Sequence, residues 1–220
     1  MTPVIELAIL YSLHQCPYAM RARMGILLAQ QTVVLRDIVM KDKPAPMLAV
    51  SPKAEVPVLV LRDNTVIDQS LDIMLWALTQ SDPDNLLQRE NPDALPAMLS
   101  MINTYDNEFV RWLKKYKSAS RYHDGALVEY RDQVEVFMAE LEQRLSSHRC
   151  LMGHEPSLVD YAILPFIRQL AKVERKWYLQ APYPKLRLWL EAHLQSRLFS
   201  KTMDKYALWS QGDEALLFGA

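Results

Sequence analysis

The first eighty or so residues alternate between short apolar stretches and longer amphipathic ones. The strand-like stretches are apolar or β-branched and are bounded by turn residues; they cover residues 5–11, 32–38, 56–61 and 65–67. The helix-like stretches cover residues 18–30 and 70–78, with a short helical turn at 47–50. Strands that alternate with helices predict a sheet covered by helices, so we expect an α/β domain here.

The pattern changes after a segment rich in helix breakers. Residues 81–92 carry Ser-Asp-Pro-Asp-Asn and Asn-Pro-Asp, which are typical of a linker. Beyond it, apolar residues recur at spacings of three and four and predict a long amphipathic helix: Leu95, Met98, Met101, Ile102, Tyr105, Phe109, Trp112 and Tyr116. No stretch after the linker predicts a strand. We therefore predict an α/β domain at residues 1–80, a linker at 81–92 and an all-helical domain at 93–220.

Composition and charge narrow the choice of function. The chain has 220 residues, half of them hydrophobic, and a formal net charge of -1, so neither nucleic acid nor an anionic membrane is an expected partner. No secretory signal and no apolar run of about 20 residues is present in the sequence. It has two widely separated cysteines and no metal-binding motif. We expect a cytoplasmic protein without disulfides and without a bound metal.

The chemistry of the first domain centres on Cys16. A strand ends near Tyr11, a short loop follows, and Cys16-Pro17 opens a helix. Proline suits the first helical position, and the amides of Tyr18 and Ala19 then face the cysteine together with the positive end of the helix dipole. This setting favours the thiolate, which is the nucleophile in disulfide exchange. Because Ala19 stands where a dithiol protein has its resolving cysteine, we expect an external small thiol as the partner.

Further segments predict a ligand groove beside Cys16. Val56-Pro57 joins a loop to a strand, where a cis bond would turn the Val56 backbone outward to pair with a peptide-like ligand. Gln69 and Ser70 begin a helix whose amides suit a carboxylate, although simple helix capping explains this segment equally well. Lys43 lies in the loop after the second strand and could hold a second carboxylate.

These motifs together resemble the cytosolic glutathione transferases, and among them the Omega-like, cysteine-type class. The segment Cys-Pro-Tyr-Ala-Met-Arg-Ala-Arg at residues 16–23 resembles that class's Cys-Pro-Phe-Ala-x-Arg-x-Arg. The segments at 41–44, 51–59, 69–70 and 157–161 resemble its basic loop, its Val-Pro loop, its Glu/Gln-Ser pair and its capping motif. The tail, with Tyr-Ala-Leu-Trp at 206–209 and Gly-Asp at 212–213, resembles Omega-like bacterial members. The likeness covers nearly the whole chain.

The resemblance implies a thioredoxin-like N-terminal domain that binds glutathione, followed by an all-helical domain. Cys16 would form a mixed disulfide with glutathione, which would be a cosubstrate and the main small-molecule partner. Its binding residues would be Tyr18, Lys43, Val56, Pro57, Gln69 and Ser70. The helical domain would supply a cosubstrate cleft lined by Tyr105, Phe109 and Trp112, and the protein would be a homodimer.

Some positions depart from the pattern of that class. Gln69 replaces a frequently acidic residue, for which Asp68 could compensate. Ala54 replaces a typical glycine in the loop before Val56. Leu164 stands where the Omega class often has an aromatic residue, which affects the expected cleft.

Three functions fit this reading. The first is a glutathione-dependent thiol transferase or reductase that uses Cys16 to remove glutathione from mixed disulfides or to reduce a small oxidant such as dehydroascorbate. The second is conjugation of glutathione to electrophiles, with a hydroxyl from Tyr11 or Ser12 stabilising the thiolate. The third is a non-enzymatic glutathione-binding regulatory protein.

For Cys150 we expect a buried, structural role.

Overall fold

The structure is a computed structural model, and it describes residues 7–219. The strands are β1 (Ile9–Ser12), β2 (Val33–Asp37), β3 (Val58–Val60), β4 (Val66–Ile67) and β5 (Leu217–Phe218). The first three helices are α1 (Pro17–Leu28), α2 (Ala45–Val50) and α3 (Ser70–Gln80). The first predicted strand began at Ile5, and its residues Ile5 and Glu6 lie outside the described residues.

The remaining helices follow one another along the chain. They are α4 (Ala94–Thr104), a π-helical turn (Tyr105–Phe109), α5 (Val110–Tyr122), α6 (Leu127–Ser147), α7 (Leu158–Leu170), α8 (Arg175–Gln180), α9 (Pro184–Leu194) and α10 (Arg197–Thr202). The single helix predicted from the spacing of apolar residues is thus helical throughout residues 94–122, with a π-helical turn in its middle. Within residues 7–219, no helix is both long and apolar enough to cross a membrane.

Two compact units divide the chain differently from the prediction. One unit takes in the chain up to Asp84 together with the C-terminal segment from Arg197, and the other is Asn85–Ser196. The expectation of helices alone after residue 92 is wrong for this last segment. Its strand β5 pairs antiparallel with β2, with Phe218 opposite Val33.

The first unit is built on a mixed sheet. The described strands lie in the order β4-β3-β1-β2-β5, with β1 parallel to β2 and all other neighbours antiparallel. Helices α1 and α3 pack closely, because Gly25 leaves room for Met74: a Cβ at residue 25 would lie 2.6 Å from the Met74 Cα. This is the α/β arrangement that the alternating pattern predicted, and the fold is thioredoxin-like.

The second unit is helical, and its core is centred on α7, which is buried along almost its whole length. Ser157 caps α7 in a capping box with Asp160, within the segment 157–161 that resembles the capping motif of the class. The buried Asp160 carboxylate accepts hydrogen bonds from the Leu151 and Ser157 amides, the Ser157 hydroxyl and the Trp189 indole, at 2.9–3.1 Å. These bonds tie α7 to the preceding loop and to α9.

Candidate functional site

Cys16 lies at the start of α1, where the sequence placed it. It is the N-cap residue, with an extended backbone (φ -72°, ψ 125°), and Pro17 follows in the first turn. The Cys16 amide donates to the Leu13 carbonyl at 3.1 Å, and the Cys16 carbonyl accepts from the Met20 amide at 2.9 Å. The side chain is half-buried and makes no capping hydrogen bond to the helix amides. The sulfur is therefore close to the positive end of a twelve-residue helix without being tied to it.

A buried arginine holds the loop that leads into Cys16. Arg23 is 2% exposed. Its guanidinium donates to the Ser12 hydroxyl at 2.5 Å and to the carbonyls of Leu13 and His14 at 3.3 and 2.7 Å. Burial lowers the pKa of Arg23 to about 10, against the opposing charges of Asp37 and Cys16. The guanidinium is therefore protonated at neutral pH and brings a positive charge toward the cysteine.

The C-terminal segment closes over the same loop. The Thr202 carbonyl accepts from Arg23 Nε at 3.0 Å, and the Met203 carbonyl accepts from His14 Nε2 at 3.0 Å. Further along, the Trp209 amide donates to the Asp37 carbonyl at 2.8 Å. The C-terminal segment therefore holds the Cys16 loop in place, although His14 and its partner Met203 are 189 residues apart in sequence.

An aromatic and cationic stack joins this segment to the sheet. The Arg36 guanidinium lies 4.2 Å from the Trp209 ring centroid and 5.3 Å from that of Tyr11. The Tyr11 hydroxyl accepts a hydrogen bond from Arg36 at 2.6 Å, and its ring meets Trp209 edge-on. Trp209 and Cys16 both pack against one apolar cluster that contains Tyr11 and Val56. Trp209 therefore belongs to the surroundings of Cys16.

Strand register brings the predicted ligand segments to the same end of the sheet. Residues in register are Tyr11 with Val58, Ser12 with Asp37, and Leu59 with Ile67. The loop to Cys16, the loop after β2 that carries Lys43, the Val56 loop and the start of α3 at Ser70 therefore all leave from one end. The sequence alone could not supply this, because it does not give the strand order.

The Val56-Pro57 peptide bond is cis, as predicted. Within residues 7–219, no hydrogen bond uses the Val56 amide or carbonyl, while its side chain packs in the cluster with Cys16. Ala54, two residues earlier, has φ 53°, a conformation that favours glycine. The loop holds that conformation with alanine at the position where the resemblance implied glycine. A 2.8 Å ion pair between Lys53 and Asp68 joins this loop to the approach to α3.

The other predicted ligand residues have different degrees of exposure. Gln69 is the exposed N-cap of α3 and makes no side-chain capping bond, and Ser70 is buried at the first position of that helix. Lys43 is half-buried just before α2, and Tyr18 is half-buried in the first turn of α1. The charge of Asp68 is already paired with Lys53, so this carboxylate is only partly available to compensate for Gln69.

Two of the three predicted cleft residues are core residues instead. Tyr105 and Phe109 are 2% and 0% exposed, and their rings pack on each other and on Phe137. The Tyr105 hydroxyl lies 3.2 Å from the Phe137 carbonyl and 3.3 Å from the Glu140 carboxylate. Their expected place in an open cleft is wrong. Trp112 is half-buried, with the Lys115 ammonium 4.5 Å from its ring centroid, and its cleft role stays a prediction.

The second cysteine is in an unreactive setting. Cys150 is 5% exposed, and its thiol lies 3.7 Å from the His154 carbonyl. Burial, reinforced by the charge of Asp160, raises the pKa of Cys150 to about 11. The thiol is thus protonated at neutral pH, in agreement with the expected structural role. The structure also shows no cluster of metal-ligating side chains among residues 7–219.

Sequence reasoning missed Arg23, Arg36 and Trp209 as parts of the site's surroundings. A signal existed for Arg23, since a charged residue inside an otherwise apolar helical stretch needs a buried partner. No local pattern links Trp209 to Tyr11, because the contact depends on how the C-terminal segment returns to the sheet.

Curated relatives resemble the chain at low identity. Glutathione S-transferase omega-1 of Mus musculus is 26% identical over 86% of this chain and 78% of its own length. The protein of the same name from Rattus norvegicus is 24% identical over 82% of this chain and 73% of its own.

Solved structures share the fold. A glutathione transferase family member from Pseudomonas fluorescens, with two glutathione molecules bound, matches with a TM-score of 0.79 at 16% identity over 92% of this chain and 94% of its own. Poplar glutathione transferase F1 matches with a TM-score of 0.76 at 17% identity, over 90% of this chain and 96% of its own.

Two family models complete the comparison. The model of the glutathione S-transferase N-terminal domain matches residues 10–86, which include Cys16, the cis Val56-Pro57 bond and Ser70. The model of the glutathione S-transferase C-terminal domain matches residues 124–192, which include all of α6, α7 and α8. The order of the two domains also agrees with the two units of the structure. This chain belongs to the glutathione S-transferase family.

Proposed function

We propose that this chain is an Omega-like, cysteine-type glutathione transferase that acts as a thiol transferase through a mixed disulfide between Cys16 and glutathione. The observation that carries the proposal is the position of Cys16 at the N-terminus of α1, where its side chain is half-buried and makes no capping hydrogen bond. The partial positive charge of the helix start and the nearby Arg23 guanidinium both bring positive charge toward the sulfur. The low-identity likeness to omega-1 transferases supports the same subtype.

Glutathione would bind along the end of the sheet where the predicted segments meet. The unused amide and carbonyl of Val56 suit the backbone of its cysteinyl residue, as an added strand. Gln69 and Ser70, at the start of α3, would hold the γ-glutamyl end. Lys43 would pair with the glycine carboxylate, and Tyr18 would line the groove beside Pro57.

The chemistry needs two exchanges. The Cys16 thiolate attacks the glutathione sulfur of a mixed disulfide; the old S–S bond breaks, and the substrate leaves as a thiolate that takes up a proton. The thiolate of a second glutathione then attacks the glutathione sulfur bound to Cys16. That step releases oxidised glutathione and regenerates the Cys16 thiolate. In sum, the mixed disulfide and one free glutathione give the reduced substrate thiol and one oxidised glutathione, so the disulfide bond passes from the substrate to glutathione.

The surroundings of Cys16 favour this mechanism over conjugation. Conjugation requires a hydroxyl that is available to a bound thiolate. Tyr11 is 2% exposed and its hydroxyl accepts from Arg36, while Ser12 is 0% exposed and its hydroxyl accepts from Arg23. Both candidate hydroxyls are thus buried within the protein and out of reach of a ligand at the surface. Cys16 is the better exposed nucleophile.

The test uses the two cysteines as a matched pair. Wild type, Cys16→Ser and Cys150→Ser are treated with oxidised glutathione and examined by intact-mass analysis, then assayed for glutathione-dependent reduction of a small mixed disulfide. We expect one glutathionyl group on wild type and on Cys150→Ser, both active, and neither adduct nor activity for Cys16→Ser. Full activity of Cys16→Ser would refute the proposal. An adduct without turnover would favour the non-enzymatic binding function instead.

We further propose a cytoplasmic homodimer. The support is the family itself, in which dimers are common. One solved relative is described as a trimeric transferase from Leishmania, so the assembly is a point to measure. Sedimentation equilibrium of the full chain separates the possibilities, and a monomer at micromolar concentration would refute the dimer.

A further inference from the structure

The exposed side of α5 carries an excess of positive charge. Five of the eleven residues from 111 to 121 are exposed cations, which together we call the basic face: Arg111, Lys114, Lys115, Lys117 and Arg121. The sequence has no acidic residue between Glu108 and Asp124, although the formal net charge of the whole chain is -1. The helix lies between the segments that the two family models match, residues 10–86 and 124–192. Positive charge is therefore concentrated on a helix outside both matches.

Helical spacing sets these cations beside one another. Arg111 and Lys115 are four residues apart, and so are Lys117 and Arg121. Lys114 lies three residues from both Arg111 and Lys117. Like charges at these spacings destabilise a helix. Lys114 apart, none of these cations takes part in an ion pair among residues 7–219. An anionic partner would relieve the repulsion on this face.

Aromatic rings hold several of these cations in place without neutralising them. The Arg111 guanidinium and the Lys115 ammonium lie 5.0 and 4.5 Å from the centroid of the Trp112 ring. The Arg121 guanidinium lies 5.6 Å from the centroid of the Tyr122 ring. A cation over a ring keeps its full charge, while its position is restricted. The basic face therefore presents positive charges whose positions are partly fixed, which lowers the entropy cost of binding an anion.

We propose that the basic face of α5 binds an acidic segment of a partner protein, whose carboxylates pair with its cations. Single-stranded nucleic acid fits less well, because its bases stack on open aromatic rings, and the Trp112 ring is already occupied by two cations. A second copy of this chain also fits less well, because a two-fold interface through this face would bring like charges together. The proposal goes beyond the proposed function, and the basic face shares no residue with the Cys16 site.

Two peptides test the need for negative charge. A fluorescein-labelled peptide of about ten residues, mostly Glu, is long enough in extended form to span the ~15 Å covered by residues 111–121. The matched peptide has Gln in place of every Glu. By fluorescence anisotropy with the full chain, we expect the acidic peptide to bind at least about tenfold more tightly at low salt and to lose affinity as salt is added. Equal affinity of the two peptides would overturn the proposal.

Paired variants test the location. Lys117→Gln/Arg121→Gln removes two charges from the basic face, and Lys176→Gln/Lys185→Gln removes two exposed cations from α8 and α9. We expect the first variant to bind the acidic peptide at least about fivefold more weakly, and the second to bind it like wild type. Lys117→Arg/Arg121→Lys keeps both charges and should also bind like wild type. An equal loss in the two Gln variants, or no loss in either, would overturn the assignment.

Two further measurements test the other occupants of the face. If a single-stranded oligonucleotide of equal charge binds more tightly than the acidic peptide at the same salt concentration, the proposal is overturned in favour of nucleic acid. If sedimentation equilibrium shows a changed assembly state for Lys117→Gln/Arg121→Gln, the proposal is overturned in favour of a contact between copies. Thiol transferase activity toward a small mixed disulfide should be unaffected in all three variants, so a failure here is distinct from a failure of the Cys16 proposal.

Discussion

Replacing Arg23 with methionine should destabilise the protein and slow the reaction of Cys16. The substitution keeps an unbranched side chain of similar length but removes every donor. It leaves the Ser12 hydroxyl and the Leu13, His14 and Thr202 carbonyls without this partner. Two of these bonds are fully buried, so water cannot replace them readily.

The size of the effect follows from two opposing terms. Hydrogen bonds from a charged donor contribute about 1.5–3 kcal/mol each, and Arg23 makes four. Desolvation of the guanidinium, which lowers its pKa from 12.5 to about 10, offsets roughly 3 kcal/mol of this. Removing one partner from a buried ionic network typically costs about 3–5 kcal/mol, and we expect a loss in that range. Arg23→Lys keeps the charge with fewer donors and should lose about half as much.

Two measurements check this prediction. Urea unfolding gives the free energy of unfolding, and the rate of alkylation by iodoacetamide in a Cys150→Ser background reports the nucleophilicity of Cys16. At pH 7 we expect alkylation about tenfold slower in Arg23→Met and closer to wild type in Arg23→Lys, because only the lysine keeps a positive charge near the sulfur. Arg62→Met, at an exposed position, is the control. If Arg23→Met unfolds within about 1 kcal/mol of wild type, the hydrogen bonds contribute little and the reasoning fails.

Two further predictions concern the helical unit. Asp160→Asn turns one acceptor oxygen into a donor that faces existing donors, so we expect a loss of about 3–5 kcal/mol in the free energy of unfolding, against almost none for the exposed Asp132→Asn. A loss below 1 kcal/mol would contradict it. The His193 ring packs edge-on against Trp189, and burial lowers the pKa of His193 below its usual 6.5, opposed by the charge of Asp160. As the pH falls, His193 is protonated in the unfolded chain before it is protonated in the folded one. The contribution of His193 to the free energy of unfolding is therefore fully present above pH 6.5 and is lost as the pH drops through the lowered pKa. His193→Gln should make stability less dependent on pH, whereas His148→Gln, at an exposed position, should not. Urea midpoints of wild type and both variants are measured against pH, and parallel profiles would refute the prediction.

Much of the site was predictable because its signals are local. Cys16-Pro17 at a strand-to-helix junction fixes a helix start, and the Val56-Pro57 segment and the Ser157 capping box depend on residues that are neighbours in sequence. The helix start and the capping box could be derived from backbone chemistry alone, whereas the cis Val56-Pro57 bond was expected from its place between a loop and a strand in this fold class.

The errors have a common physical cause. Helical spacing places Tyr105 and Phe109 on the apolar face of a helix, but an apolar face can line either a core or an open cleft. The packing of both rings against Phe137 places them in the core. Strand β5 is two residues long, so its sequence carries no periodic signal. Its place is decided by a long-range pairing with β2.

The C-terminal segment is the least predictable part of the site and yet the one on which its geometry depends. The loop between β1 and α1 exposes carbonyls that a single guanidinium satisfies, and Arg23 reaches them while also donating to Thr202. Without the Thr202 carbonyl, Arg23 would still pay the desolvation cost of burial but would lose one of the hydrogen bonds that offset it. His14 has the same dependence on Met203. The loop that presents Cys16 is therefore stabilised jointly by its own helix and by the returning chain, and the segment from Arg197 onward belongs to the same compact unit as Cys16.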